Sequence, residues 1–337
     1  MPKHVLFIFG GAIGDALLGI QLFHAMQKSD PSSTLTFVAT GKSGFSRQVA
    51  SSIAGISYVE LPPRSWRSWA RLLSWAFSPH GVVYLEPFRD GVSFWWRVIA
   101  RVATVLPGSR EVHCQSRPAK VPERVRVVAY RCQADNLFDM VTRVPAALGG
   151  TKVEPFRPYL PTPNCSATSK PYIAFHFFAG SYRRSFPLEK VRPLLAAARE
   201  AFPQDEFVLT CAHGEETLAA QMIEGVSNAR VVISPKAQEL YCHLVGARVV
   251  VGVASGVTHI AAHLNARAVV LCNLSDPCWL PTYNPSISLL SAPEHCGCNG
   301  DKTGECGIET PGGSIYRCLY DITQEDIIGA MQHQVDL

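Results

Sequence analysis

Residues 246–281, GARVVVGVASGVTHIAAHLNARAVVLCNLSDPCWLP, constrain the fold more than any other stretch. Residues 248–253 are a β-branched apolar run without alternation, the pattern of a strand buried on both faces and hence of a parallel sheet. Ala254, Ser255 and Gly256 follow, small residues where the chain must turn. Residues 258–264 open a helix, and residues 268–272 are a second buried strand. Strand, small turn, helix, strand is a βαβ unit. A turn at the C-terminal end of a parallel strand presents free N–H groups and the positive end of a helix dipole. It is a seat for an anion, here a diphosphate at Ser255, Gly256, Val257 and Thr258. An ordinary tight βα turn uses the same small residues, so the turn alone leaves both readings open.

The same alternation recurs along the chain. Residues 4–9 read as a strand, residues 10–14 as a glycine-rich turn, residues 15–27 as an amphipathic helix and residues 35–39 as the next strand. Gly10, Gly11 and Gly14 lack the dinucleotide-binding spacing, and no acidic residue ends the second strand, which argues against an NAD site. Asp15 sits at the start of the helix, where the dipole favours a carboxylate; it is either a cap or a catalytic group. A Pro-, Ser- and Thr-rich stretch, residues 149–170, reads as a linker. A second series begins with strands at 172–177 and 206–211, helices after HGEETLAAQ and within SPKAQELYCHLVGA, and a closing helix in RCLYDITQEDIIGAM. The expected class is α/β, with domains at residues 1–160 and 161–337.

Charge separates the halves. Residues 1–150 carry 17 Lys and Arg against 9 Asp and Glu, net +8; the remainder carries 14 against 18, net −4. A basic half suits an anionic partner: phosphorylated glycolipid, anionic membrane or nucleic acid. Within it, residues 64–104 interleave Arg and Trp (RSWRSWARLLSW, then FWWRVIARVATVL) at near-helical spacing, the composition of a membrane-interface helix, although tryptophans also fill cores. No uninterrupted apolar stretch is long enough to span a bilayer. Lys3 followed by VLFIFGGAIG has the outline of a secretory leader, but Asp15 interrupts the apolar run, so the segment reads as a first strand. The 11 cysteines include Cys211, Cys242 and Cys272, which lie singly in apolar surroundings and read as core residues of a reducing compartment. Cys296, Cys298, Cys306 and Cys318 follow C-x-C-x7-C-x11-C, a weak zinc or iron signal, and the chain has no obvious Asp-x-Asp metal site.

SGVTHIAAHL and the following AVVLCNLSDPCWLP resemble the C-terminal signature of glycosyltransferase family 9, the ADP-heptose:lipopolysaccharide heptosyltransferases, through Ser255, Gly256, His259, Ala261, Ser275, Asp276, Pro277, Trp279 and Pro281. GAIGDALLG is similar to the family's N-terminal signature. The resemblance implies two doubly wound αβα domains facing across a cleft, the glycosyltransferase B fold. It implies an inverting, metal-independent sugar transfer, most simply heptose from ADP-heptose, onto an anionic surface glycolipid such as lipopolysaccharide core. The setting it implies is cytoplasmic, with peripheral contact to the inner membrane and no nucleic-acid partner.

The resemblance makes Asp15 the general base. It assigns Arg184, Glu216, Ala237, Ser255, Gly256, Val257 and His259 to the donor, and Gly14, Arg64 and Arg67 to the acceptor and its phosphates. Arg184 stands where the family has Lys, two residues before Phe186–Pro187. Ala254 stands where the family has an Asp that meets the donor sugar. Two alternatives share the donor site: an autotransporter-type protein heptosyltransferase, some of which carry iron on a Cys cluster, and a non-catalytic nucleotide-sugar or lipid binder.

Overall fold

The computed structural model describes residues 4–9, 13–39, 44–61, 65–67, 70, 82–85, 111–114, 126–129, 160–161, 163–165, 170–233, 236–273, 279–292 and 306–337. The chain divides into two compact units, Met1–Phe156 and Arg157–Leu337. Elements are numbered over the described residues.

In the first unit β1 (His4–Phe9) leads into α1 (Ile13–Ser29), β2 (Thr34–Ala39), α2 (Gly44–Ser51) and β3 (Ile56–Glu60); β4 (Val82–Leu85), β5 (Glu111–Cys114) and β6 (Arg126–Ala129) follow. All six strands pair in parallel, in the order β3-β2-β1-β4-β5-β6. The order reverses at β1, so the turn into α1 lies at the sheet's switch point.

The expectation of an amphipathic helix here is corrected. Every residue of α1 from Asp15 to Phe23 is buried. Its two polar members there, Asp15 and Gln21, lie six residues apart and do not share a face, and the partly exposed or exposed His24, Gln27 and Lys28 are confined to the C-terminal turns. Gly19 sets how closely α1 sits on the sheet. A Cβ there would fall 2.5 Å from the Phe37 ring and 3.0 Å from the Phe7 ring. Phe37 is itself held between Phe7 and Tyr58, with ring centroids 5.3 and 6.4 Å away. Gly19→Val is expected to lower stability by about 1–3 kcal/mol through overpacking, read as a reduced denaturation midpoint at unchanged m-value.

The second unit repeats the plan. β7 (Tyr172–His176) is followed by a 3-10 turn (Tyr182–Arg184) and α3 (Leu188–Ala201), then β8 (Glu206–Cys211), α4 (Glu216–Ile223), β9 (Ala229–Ile233) and α5 (Ala237–Val245). β10 (Val249–Val253), α6 (Gly256–His263), β11 (Ala268–Leu271) and β12 (Ile287–Leu290) complete a parallel sheet in the order β12-β11-β10-β7-β8-β9. Its core is Phe175, Phe177, Phe207, Val251, Val269 and their neighbours, closed on one side by Val191, Leu194, Ala219, Ile327 and Met331 from helices. β10 pairs with both β7 and β11 and is buried along its whole length, as its unbroken apolar run predicts.

Three expectations change in this unit. The closing helix is two helices, α7 (Arg317–Tyr320) and α8 (Gln324–Asp336). The break falls where Thr323 caps α8, its side chain accepting from the Asp326 N–H at 3.1 Å. Ahead of them, β13 (Gly307–Thr310) and β14 (Gly313–Tyr316) form an antiparallel hairpin. Cys242 is not a lone core residue: it lies on α5 and is disulfide-bonded to Cys165, 77 residues earlier, where the linker enters the unit. Cys211 and Cys272 are free and buried, as expected of small core residues. No described helix is long and apolar enough to cross a membrane.

Candidate active site

In a parallel sheet every βα turn falls on the same edge, and in the second unit that edge gathers the residues expected to meet the donor. β10 ends at Val253, and the Ala254 N–H still reaches the Leu271 carbonyl of β11 at 2.9 Å. Ser255 then caps α6 in extended conformation, φ −144 and ψ 174. Thr258 fixes the turn. Its Oγ1 accepts from the Ser255 N–H at 3.0 Å and lies 3.0 Å from both the Val253 and Ser255 carbonyls. Ser255 Oγ is buried and faces the Thr258 N–H across a capping box. The N–H groups of Gly256 and Val257 are left without intrahelical acceptors. They supply anion-binding capacity at the positive end of the dipole. His259 lies in the first turn of α6 and is buried.

β7 and β10 are neighbours in the sheet, and the strand order reverses between them. Ligands in open α/β sheets bind at such a point. Gly252 permits the close approach there, since a Cβ would fall 2.7 Å from the His176 carbonyl oxygen. The turn after β7 carries Arg184, whose N–H bonds to the Ser181 carbonyl at 3.0 Å and whose Nε donates to Ser181 Oγ at 3.3 Å. Gly180 keeps that turn open, because a Cβ there would lie 3.3 Å from Arg184 Nη2.

The neighbouring turns carry the other two candidates. Glu216 opens α4 after β8 and folds back on its own turn, accepting from Gly214 N–H at 2.6 Å and lying 3.0 Å from His213 Nδ1. Hydrogen bonds from its own backbone first, then from His213 and Gly214, hold its carboxyl below the ordinary range, so it is ionised. Ala237 is buried at the first position of α5; the preceding Pro235 lies outside the described residues. Arg184, Glu216, Ala237 and Ser255–Gly256–Val257 thus occupy four βα turns on one edge of one sheet.

In the first unit Gly14 and Asp15 are the second and third residues of α1, just past the switch point of that sheet. Asp15 is buried, 7% exposed, in the first turn of the helix. Arg67 is exposed with its guanidinium 5.7 Å from the ring centroid of Trp66, itself 74% exposed. Arg64 lies outside the described residues, as do Cys296, Cys298 and most of residues 64–104. Cys306 and Cys318 are buried. Among the described residues no group of three or more His, Cys, Asp or Glu could hold a metal ion.

Residues 147–307 match the profile of glycosyltransferase family 9 (heptosyltransferase). No curated sequence matches the chain. Among solved structures it is similar to Escherichia coli heptosyltransferase WaaC with ADP, at 18% identity and TM-score 0.70, over 98% of this chain and 100% of that one. It is similar to the family 9 glycosyltransferase of Veillonella parvula, at 16% identity and TM-score 0.72, over 99% and 97%. The dodecameric iron-containing heptosyltransferase TibC of enterotoxigenic E. coli, in complex with ADP-D-β-D-heptose, is similar at 14% identity and TM-score 0.58, over 99% of this chain and 76% of that one.

The chain has the glycosyltransferase B fold of these heptosyltransferases. One residue near this edge, His176, was not singled out from the sequence. It lies at the end of β7 and is marked only by interrupting an apolar strand. Its Nδ1 lies 3.0 Å from the Thr210 carbonyl, so that nitrogen carries the proton, and burial pushes the imidazole down to about 4. Burial also pushes His263 down to about 3. The folded state keeps both neutral while the unfolded chain protonates them near 6.5, so the unfolded state binds more protons as pH falls from about 6.5 toward 4. Stability is expected to be full above that window and to fall within it, with His176 accounting for about 3 kcal/mol. Chemical denaturation at a series of pH values checks this; His176→Asn, which keeps a donor toward Thr210, flattens the slope.

Proposed function

We propose that this glycosyltransferase is inverting and metal-independent, and that it moves heptose from ADP-heptose to an anionic bacterial surface glycolipid such as lipopolysaccharide core. The observation that carries the donor half is the capped turn at Ser255–Thr258, with helix N–H groups at the switch point of the sheet. WaaC with ADP and TibC with ADP-D-β-D-heptose, both similar in fold, support a nucleotide-diphosphate sugar as the ligand.

In this reading the diphosphate sits on the α6 turn with the Arg184 guanidinium on its oxygens, since a planar fork matches phosphate geometry. Glu216 supplies acceptor oxygens to the ribose and Ala237 borders the base. The acceptor hydroxyl attacks the anomeric carbon from the face opposite the leaving group. Asp15 takes its proton as the new C–O bond forms. The bond to the β-phosphate oxygen breaks, and its electron pair leaves with ADP. The helix N–H groups and Arg184 stabilise that charge, so the step needs no metal. The basic first half, Gly14, Arg64 and Arg67, faces the acceptor's phosphates, and the exposed Trp66–Arg67 pair supports peripheral contact with the cytoplasmic face of the inner membrane. The Cys165–Cys242 bond runs against a reducing compartment, so the redox state of this pair in cells tests that location.

Asp15→Ala is expected to cut turnover by about 100- to 10,000-fold with ADP affinity nearly unchanged, and Ser255→Ala to weaken ADP binding by about 10-fold or more. Steady-state transfer and calorimetry read the two. Unchanged turnover removes Asp15 from the mechanism, and absence of ADP binding in the wild type removes the donor assignment.

Ala254 bears on which sugar is carried. It follows β10 beside the diphosphate turn and offers no carboxylate to a donor hydroxyl, a loss worth about 1–3 kcal/mol for a buried group. The backbone-built diphosphate seat is untouched. Calorimetry with ADP, ADP-heptose and other nucleotide sugars is therefore expected to show diphosphate binding retained and sugar preference altered. Ala254→Asp is expected to shift that preference toward ADP-heptose; if the wild type already prefers ADP-heptose and the substitution changes nothing, Ala254 has no part in sugar choice.

A second reading is transfer to a polypeptide by an autotransporter-type enzyme carrying iron on a Cys cluster; the fold similarity to the iron-containing heptosyltransferase TibC does not exclude it. Iron in the purified chain, lost on replacing Cys296 or Cys298, would select it over the glycolipid reading.

A further inference from the structure

We propose that the β13–β14 hairpin is the support of the donor-phosphate turn, with Tyr182 as the positioning residue that holds Arg184 in place. The proposal rests on the reading of Arg184 as the diphosphate cation. A two-stranded hairpin is marginal by itself, and β13 and β14 join neither six-stranded sheet. The hairpin is held instead against the turn at Tyr182–Arg184, far away in sequence.

Three side chains make that attachment. The Tyr182 hydroxyl lies 2.9 Å from Thr310 Oγ1, and Thr310 Oγ1 donates to the Gly313 carbonyl at 2.7 Å. Thr310 has spent its proton, so Tyr182 is the donor to it. The Tyr182 ring lies on two adjacent glycines. A Cβ at Gly312 would collide with the ring and hydroxyl, and Gly313, at φ +126, is in the left-handed region with its Cβ position 3.2 Å from the ring. Arg183 stacks over Tyr316 of β14, 4.7 Å from the centroid, beside Gly307 of β13. One turn further on, Lys190 of α3 lies 4.3 Å from the Tyr320 ring centroid and donates to the Tyr320 carbonyl.

The adjacent arginines therefore differ in kind. Arg183 is anchored to the hairpin, whereas Arg184 stays over its own loop, against Ser181 and Gly180. Anchoring its two predecessors, Tyr182 and Arg183, fixes the backbone from which Arg184 projects. Such pre-ordering removes part of the entropy cost of immobilising a long cation on phosphate. A core contact would serve equally well with Phe; a half-buried hydroxyl relay from Tyr182 through Thr310 to Gly313 specifies orientation.

The test is ADP and adenosine affinity, by calorimetry and competition, for Tyr182→Phe, Thr310→Val, Arg184→Ala and the double variant Tyr182→Phe/Arg184→Ala. Tyr182→Phe and Thr310→Val are each expected to weaken ADP by about 3- to 10-fold, the effect of one neutral hydrogen bond, with adenosine affinity unchanged. Thr310→Ser is expected to retain wild-type affinity. In the Arg184→Ala background Tyr182→Phe is expected to add nothing, because it acts only through the missing cation. Equal weakening of ADP and adenosine, additive effects, or no effect of Tyr182→Phe and Thr310→Val would overturn the positioning role. If Arg184→Ala itself leaves ADP affinity unchanged, the phosphate reading of Arg184 fails instead, and the proposal with it.

Discussion

Parallel pairing of β10 between β7 and β11 is the constraint on which the second unit depends. Parallel strands cannot be joined by tight hairpins, so each must be followed by a crossover helix, and all the crossovers begin on the same edge. That edge therefore collects helix N-termini, with their orphan N–H groups and positive dipole ends. Ser255, Glu216 and Ala237 come together through sheet arithmetic before any side chain is chosen. The side chains then specialise the edge: Thr258 locks the turn, Gly252 admits the close approach to His176, and Ser255 caps the helix start.

The C-terminal segment solves a different problem. A loop that carries a working cation must be ordered, yet loops have little core of their own. Here the order is imported from a hairpin that begins more than a hundred residues later and has no sheet to join. Each half stabilises the other through the Tyr182–Thr310 and Arg183–Tyr316 contacts. The disulfide between Cys165 and Cys242 works in the same direction, tying the entrance of the unit to α5, whose first residue borders the donor edge.

Much was legible in the sequence because its signals are local. The unbroken apolar runs at residues 4–9 and 249–253, the small residues after them and the first-turn Asp15 report backbone burial and helix starts, and neither depends on distant parts of the chain. The parallel α/β class and the turns that hold the candidate residues follow from these patterns. The helix at Ile13–Ser29 reads as amphipathic, but periodicity cannot tell a helix wet along its whole length from one whose wet residues are confined to its C-terminal turns. The split at Thr323 was missed although its cap is a local signal, since the apolar spacing continues across it.

Long-range geometry was decided by the tertiary structure alone. Nothing in the spacing of Cys165 and Cys242 marks them as partners, because a disulfide needs Cα atoms about 4.4–6.8 Å apart, a condition set only once α5 docks; here they are 5.4 Å apart. The difference between Arg183 and Arg184 is invisible in two identical letters and follows from which one meets Tyr316. The sequence by itself determined the elements, their parallel class and the turns where an anion can sit, since propensity and burial pattern are short-range. The folded chain decided which of the side chains in those turns are held, and by what, since a contact between residues 182 and 310 exists only after the sheet has brought them together.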